Sequence, residues 1–312
     1  MIVNGIDVSK LKHPEAHAPA IIAPQVKGRV VHIDADFLAY MVSYAEDVSI
    51  LEMQENCDTM IEKMRLMSGS EKTMLHLTPK GSDKGDRYNI ALQKEYQGNR
   101  KDKPKPKFLH MIREYMHKER GAILCLDMEA DDSMAMYQYD AIKRGEQHLS
   151  VIATKDKDLT MVSGLQVNWD SGEMTDTKDD PFGWITLDTS KATKKVRGRG
   201  WKYFWAQLLM GDGADNIQGI PKVIHPDFTG GKLKACGPVL TYDIINPVRN
   251  NSEAFQLIKT LFKETGKALP YVNWRDGTPV GWKDVMVSEM KLLWMRRTKD
   301  QNDVLHWLKE TT

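Results

Sequence analysis

Val30-Val31-His32-Ile33 runs into Asp34-Ala35-Asp36 and then into Phe37 to Ala45, and the texture of the chain changes from Arg29 onward. The first four residues make a short run of the kind that packs on a pleated surface. The segment after them has the apolar spacing of a helix. Short apolar runs recur at Met74–Leu77, Ala122–Leu126, Leu149–Ala153 and Leu165–Trp169, with helical segments between most of them. A second helix over about 49–67 carries Ile50, Met53, Met60, Ile61, Met64 and Met67 at helical spacing, a methionine-rich face that reads as core filler. Strands alternating with helices predict an α/β fold on a parallel sheet covered on both faces. Ligands of such sheets bind beyond the carboxyl ends of the strands. Asp34, Glu129 with Asp131 and Asp132, and Asp156 with Asp158 all follow predicted strands, so one sheet edge is expected to be strongly acidic.

Working outward, residues 1–28 are rich in Ala, Pro and His without periodicity and read as an arm. The chain has 312 residues, 44 basic and 43 acidic, so its formal charge is +1. That balance argues against a surface that is basic throughout, and 41% hydrophobic residues argue against wholesale disorder. Three distant cysteines (Cys57, Cys125, Cys236) suit neither a disulfide framework nor a four-ligand zinc site. No apolar run reaches the roughly 18 to 20 residues of a membrane span. The N-terminal order is not that of a signal peptide, so a cytoplasmic location is expected.

Two stretches break the charge balance. Residues 84–120 hold eleven Lys or Arg against five acids, and residues 191–202 hold six basic residues and no acid. Pro104 and Pro106 make the first a helix-loop segment rather than one helix. Either run could be no more than a solvated surface. Beyond about 220, clusters of Gly, Pro and Asn separate shorter helices.

Glu129-Ala130-Asp131-Asp132 opens an apparent helix, Ser133 to Arg144. The helix dipole favours one or two acids there. So many in one turn repel each other and call for a cation, and an oxygen-only set suits a hard divalent ion. Asp156 and Asp158 follow a strand, Asp212 and Asp215 sit in a glycine-containing loop, and Asp36 rivals Asp34 for the same role.

Ile33-Asp34, then Tyr96-Gln97-Gly98-Asn99-Arg100, Glu129 to Asp132, Thr154 to Asp158, and Gly211-Asp212 through Asp215 to Pro221 come in an order that resembles the 5′-nuclease family. That family includes flap endonucleases, the 5′-nuclease domain of bacterial DNA polymerase I and phage 5′→3′ exonucleases. The resemblance covers roughly residues 29–221, and the size is most similar to the free-standing phage enzymes. It implies a PIN-like nuclease domain over 29–200 with a helical arch near 84–107. A smaller C-terminal helical region of helix-hairpin-helix type, binding DNA, is implied over 201–312. It also implies two divalent ions, Mg²⁺ or Mn²⁺, clamping the scissile phosphate. Glu129, Asp131 and Asp132, with Asp34 in or near the shell, would serve the first, and Asp156, Asp158, Asp212 and Asp215 the second. Arg100 matches the arch arginine. Arg87, Lys94, Tyr96, Arg100, Lys101, Lys103, Lys105, Lys107, Lys222, Lys232 and Lys234 would contact DNA, Tyr96 by stacking on a base unless it packs in the core.

The sequence departs from the family in three places. The arch lysine is Gln97, for which Lys94 or Lys101 would have to substitute in the chemical step. The Asp that many members carry after the second strand is absent from Leu77-Thr78-Pro79-Lys80. The hairpin motif is interrupted after Gly219-Ile220-Pro221, where the family often binds potassium. The expectation is a metal-dependent 5′→3′ exonuclease or flap endonuclease of phage replication or recombination. It would act as a monomer on DNA with a 5′ end or flap, or on an RNA–DNA hybrid, in the host cytoplasm. A replication protein bound at Val304–Leu308 would be a further partner. A PIN-type ribonuclease and a non-catalytic DNA-binding protein are the alternatives.

Overall fold

The computed structural model describes residues 2, 3, 6, 7, 22–44, 48–101 and 103–312. Most of the expected arm, 1–28, lies outside the described residues, but its last three belong to the first strand of the main sheet. The chain divides into two compact units. One comprises residues 1–82, 104–159 and 163–179, and the other 83–103, 160–162 and 180–312. The expected boundary at 200–201 is therefore displaced, and the segment 83–103 groups with the C-terminal helices.

The first unit is built on a six-stranded sheet. Its strands are β1 (Val26–Asp34), β2 (Ser70–Leu77), β3 (Ile123–Leu124), β4 (Ser150–Ala153), β5 (Leu165–Val167) and β6 (Met174–Asp176). They lie in the order β3-β2-β1-β4-β5-β6, all parallel except β6, which pairs antiparallel with β5. The connections from β1 to β2 and from β3 to β4 leave to opposite sides of β1, so the switch in strand order falls between β1 and β4. Four helices accompany this sheet: α1 (Ala35–Val42), α2 (Ile50–Met67), α3 (Leu109–Arg120) and α4 (Ala130–Lys143). Ser49 and Glu52 close a reciprocal capping box at the start of α2. Met53, Met64 and Met67 are buried in the core with Val31, Ile33, Leu38, Val151 and Trp169, as their spacing predicts. Helix α1 begins at Ala35, two residues before Phe37, and α4 departs further from its expected start. Helix α4 starts three residues before Ser133, which places Asp131 and Asp132 inside its first turn.

In the second unit, the antiparallel ribbon of β7 (Trp184–Asp188) and β8 (Lys195–Arg199) leads into α5 (Gly200–Met210). Helices α6 (Pro238–Ile245), α7 (Asn251–Ala268), α8 (Trp282–Leu293) and α9 (Asp303–Thr311) follow. The insertion after Pro221 is a two-residue ladder, Lys222–Val223 against Lys234–Ala235, enclosing a single helical turn at Pro226–Thr229. Phe204, Trp205 and Leu208 of α5 are fully buried, as their spacing implies. Val304 and Trp307 of α9 are buried too, so this helix turns the apolar face expected to bind a partner into its own core. Among the described residues no helix is long and apolar enough to cross a membrane.

Candidate metal centre

β1 ends on Asp34, which serves as the N-cap of α1, its Oδ1 accepting from the Phe37 N–H at 2.9 Å. Its Oδ2 accepts from the Thr154 hydroxyl, just beyond β4, at 3.3 Å. The Thr154 hydroxyl in turn accepts from the Asp156 N–H at 2.9 Å, and Asp156 Oδ1 from the Asp158 N–H at 2.8 Å. The carboxyl ends of β1 and β4 are thus joined at the point where the strand order switches, the place such sheets bind ligands. Asp34 is buried, and burial together with the charges of Asp36 and Asp156 pushes its carboxyl up to about 7.

The three acids at the start of α4 have divided roles. Asp132 is fully buried and accepts from the Glu129 N–H at 3.2 Å, while the Glu129 side chain caps the Asp132 N–H. This pair satisfies helix-end donors, the role the dipole predicts. Asp131 has no such role, and its Oδ1 is buried with no hydrogen-bond partner. Burial first, then the charges of Asp34, Asp156, Glu129 and Asp36, all negative, hold its carboxyl well above the usual range. An unpaired buried carboxylate among like charges is costly unless a cation offsets it.

The rival acid, Asp36, is already engaged. It is paired with Arg113 and accepts from the Thr78 N–H at 3.1 Å. Arg113 also donates to the Thr78 carbonyl, and the Thr78 hydroxyl accepts from the Ala130 N–H at 2.9 Å. Thr78 occupies the place after β2 where the family would have an Asp, and it joins α1, β2 and α4 without adding charge.

Beneath the acids, His32 Nδ1 lies 3.0 Å from His76 Nε2, and His76 Nδ1 lies 2.9 Å from the Ser133 hydroxyl. Burial pushes His32 down to about 4 and His76 well below its ordinary value. Both rings are therefore neutral near pH 7 and lend the carboxylates no positive charge. The pair is absent from any sequence spacing because it forms across neighbouring strands.

The other two acids of the expected second set, Asp212 and Asp215, belong to the second unit. Asp212 is buried, accepts from the Ala214 N–H at 2.9 Å and bridges to Ile217. Gly211 and Gly219 sustain this loop. Both have positive φ, and a Cβ at Gly219 would come within 2.4 Å of the Gly211 nitrogen. The segment 95–100 zips onto the loop. Gln97 Nε2 and Arg100 reach Asp215 Oδ1 at 2.8 and 2.6 Å, Arg100 Nε donates to the Ala214 carbonyl at 3.0 Å, and Asn99 donates to the Gly213 carbonyl at 2.7 Å.

Several expectations for the arch segment are corrected here. The described residues of 84–107 form the helix-loop segment that Pro104 and Pro106 predict, with a short helix at Arg87–Ile90 and a 3₁₀ turn at Gly98–Arg100 in place of the helical arch the resemblance implies. Arg87 is 1% exposed and donates to the carbonyls of Lys84, Leu292 and Trp294, so it is structural. Tyr96 is 2% exposed and packs edge-on against Tyr88, which removes it from base stacking. The Arg100 guanidinium is occupied in positioning Asp215. Lys101 pairs with Glu95 at 2.6 Å, whereas the cation that reaches Gln97 is Lys84, thirteen residues upstream, which no motif marks. Lys94, Lys103, Lys105, Lys107, Lys222, Lys232 and Lys234 are exposed.

Glu289 of α8 holds the same loop by accepting from the Gly219 N–H at 2.8 Å. Burial pushes its carboxyl up from 4.5 to about 7, against hydrogen bonds from Gly219, Gln93 and Gln218. With the folded value raised, the folded protein binds the extra proton. Stability is then fully present below about pH 4.5 and lost as pH rises toward 7. Relative to Glu289→Gln, the wild type is expected to lose on the order of 3 kcal/mol across that window, read by urea unfolding at pH 4.5 and pH 8. Parallel profiles of the two proteins would contradict this.

A phage T5 protein co-crystallised with metal ions superimposes with a TM-score of 0.53 at 14% identity, over 90% of this chain and 97% of its own. The phage T5 5′-exonuclease with divalent zinc ions bound gives 0.53 at 14%, over 85% and 89%. The fold is that of the T5 5′-exonuclease. It is a mixed α/β fold with a central parallel sheet flanked by helices. No family model and no curated protein matches the chain.

Proposed function

We propose that this chain is a metal-dependent 5′-nuclease that hydrolyses DNA phosphodiesters from a 5′ end or a 5′ flap. The observation that carries the reading is the buried, unpartnered Asp131 oxygen beside Asp34 and Asp156 at the carboxyl edge of the sheet. The ordered set of motifs and the fold shared with the T5 exonuclease support it. Asp34, Asp131 and Asp156, with Glu129 nearby, fit a hard divalent ion, Mg²⁺ or Mn²⁺, because every donor is a carboxylate oxygen and the acting charges are all negative. By the resemblance, Asp156, Asp158, Asp212 and Asp215 would hold a second ion, and a potassium ion would bind near Gly219-Ile220-Pro221. The ions would supply Lewis-acid stabilisation of the charge that builds on the scissile phosphate.

The chain's own residues do the positioning. Thr154 fixes Asp34 while leaving its carboxylate in the cluster. Arg113 and the Thr78 amide hold Asp36 aside, and the Glu129–Asp132 cap aims the first turn of α4 so that Asp131 faces the other acids. Gln97 and Arg100 orient Asp215, and the exposed lysines at 94, 101, 103, 105, 107, 222, 232 and 234 hold phosphates. Action in phage replication or recombination, on flaps or RNA primers, would follow from this chemistry.

The test is digestion of DNA carrying a 5′ end or 5′ flap, with Mg²⁺, Mn²⁺ or EDTA. Metal-dependent release of 5′-phosphorylated products, dependent on the 5′ end, is expected. Equal digestion of single-stranded RNA without regard to its ends would indicate a PIN-type ribonuclease instead. DNA binding with no cleavage in Mn²⁺ would indicate a non-catalytic protein.

A further inference from the structure

The basic run at 191–202 has no part in the candidate metal centre. In the structure most of it belongs to the β7–β8 ribbon, where Lys195 pairs with Asp188, Arg197 with Thr186, and Arg199 with Trp184. Strand alternation then sorts the residues by face. Ile185 and Val196 are buried on the inner face, whereas Trp184, Thr186, Lys195 and Arg197 are exposed on the other and Arg199 is half-exposed. Lys191 and Lys194 extend the exposed charge into the connecting turn. Residues 184–199 thus carry five cations against a single acid, Asp188, which Arg197 already engages at 2.8 Å.

We infer that this outer ribbon face is a binding surface for the phosphate backbone of a nucleic acid, separate from the residues assigned to cleavage. Three features favour that partner over another polyanion. Cations at alternate strand positions recur every 6.6–6.8 Å or so, roughly the axial rise of two base-pair steps. Trp184, 47% exposed, gives the same face a flat aromatic that a base or sugar can cover. The Thr186 hydroxyl beside Arg197 adds a phosphate donor. Ile185 and Val196, buried at the back of the ribbon, hold the face in one conformation.

The experiment uses the full chain and a 20-base-pair duplex in EDTA, comparing wild type with Lys194→Ser/Lys195→Ser/Arg197→Ser across a salt series. Each lost phosphate contact removes about 0.9 from the slope of log K against log salt. The triple variant is expected to bind at least tenfold more weakly at 0.15 M salt, with a slope shallower by roughly 2 to 3 and an unchanged melting temperature. Identical affinity and slope would overturn the inference. So would tighter binding of polyglutamate of equal charge than of the duplex to the wild type, which would assign the face to acidic polypeptides. Binding in EDTA does not require cleavage. A wild type that binds through the ribbon but never cuts would sink the nuclease reading and leave this one standing, and a cutting enzyme indifferent to the triple substitution would do the reverse.

Discussion

Replacing Asp131 by Asn is expected to abolish cleavage and, at the same time, to stabilise the metal-free protein. The two effects share one cause. In the apo protein the Asp131 carboxylate is buried, its Oδ1 accepts no hydrogen bond, and the charges acting on it are all negative. Asn keeps the shape and removes the charge, so unfolding in EDTA should require more free energy, on the order of 1–3 kcal/mol. With metal the sign reverses. Ligand binding to the folded state stabilises it by about 2.7 kcal/mol at a hundredfold excess over Kd. Mn²⁺ should therefore raise the wild-type melting temperature and leave that of Asp131→Asn nearly unmoved. Cleavage should fall by about a thousandfold or more, roughly 4 kcal/mol of transition-state stabilisation. A variant destabilised in EDTA would mean that Asp131 has a structural partner, and full cleavage would remove it from the centre. Asp132→Asn is the contrasting variant. It alters a helix cap, so it should cost stability and reduce cleavage only through the aim of α4.

Trp307→Ala should have the largest effect on the second unit. Trp307 is fully buried among aromatics, with ring centroids 4.5 Å from Trp294, 5.4 Å from Trp201, 5.6 Å from Phe204 and 5.7 Å from Trp205. Emptying that volume should cost about 3–5 kcal/mol. Trp307→Phe should cost much less than its lost volume suggests, because the indole N–H is buried without a partner and the substitution deletes it. Urea unfolding of both variants tests the pair. If both lost the same stability, the orphaned N–H would not be a liability. If Trp307→Ala were neutral, α9 would not be part of the core, and the surface expected for a partner would have to be reconsidered.

The sequence was legible wherever a rule is local. The β-branched run ending on Asp34, the methionine spacing of α2 and the aromatic spacing of α5 each map onto an observed element, because period and burial are fixed within one turn or one strand. The start of α4 was less legible. The helix was expected from Ser133, but the box made by Glu129 and Asp132 opens it earlier, and that difference separates the capping acids from Asp131. What depends on distant pairings was not legible at all. Arg87 sits in a basic stretch and reads as a DNA contact, yet the carbonyls of Leu292 and Trp294 need it, and Tyr96, for which stacking and core packing were both open, fills a core. Lys84 reaches Gln97 through a turn that no spacing announces. His32 and His76 meet only because β1 and β2 are neighbours in register. The charge balance, too, takes on a different sense once the acids are placed. Eight of the 43 fall in the expected metal set, and 35 remain against 44 basic residues. Segregation of charge, more than its total, carries the nucleic-acid signal.

The most direct measurement is anomalous diffraction from crystals of the full chain soaked in Mn²⁺. The account predicts a peak within about 2.5 Å of Asp131 Oδ1, shared with carboxylate oxygens of Asp34 or Asp156, and its loss in Asp131→Asn crystals. A well-ordered Asp131 with no peak beside it, or a peak that persists unchanged in the variant, would contradict it.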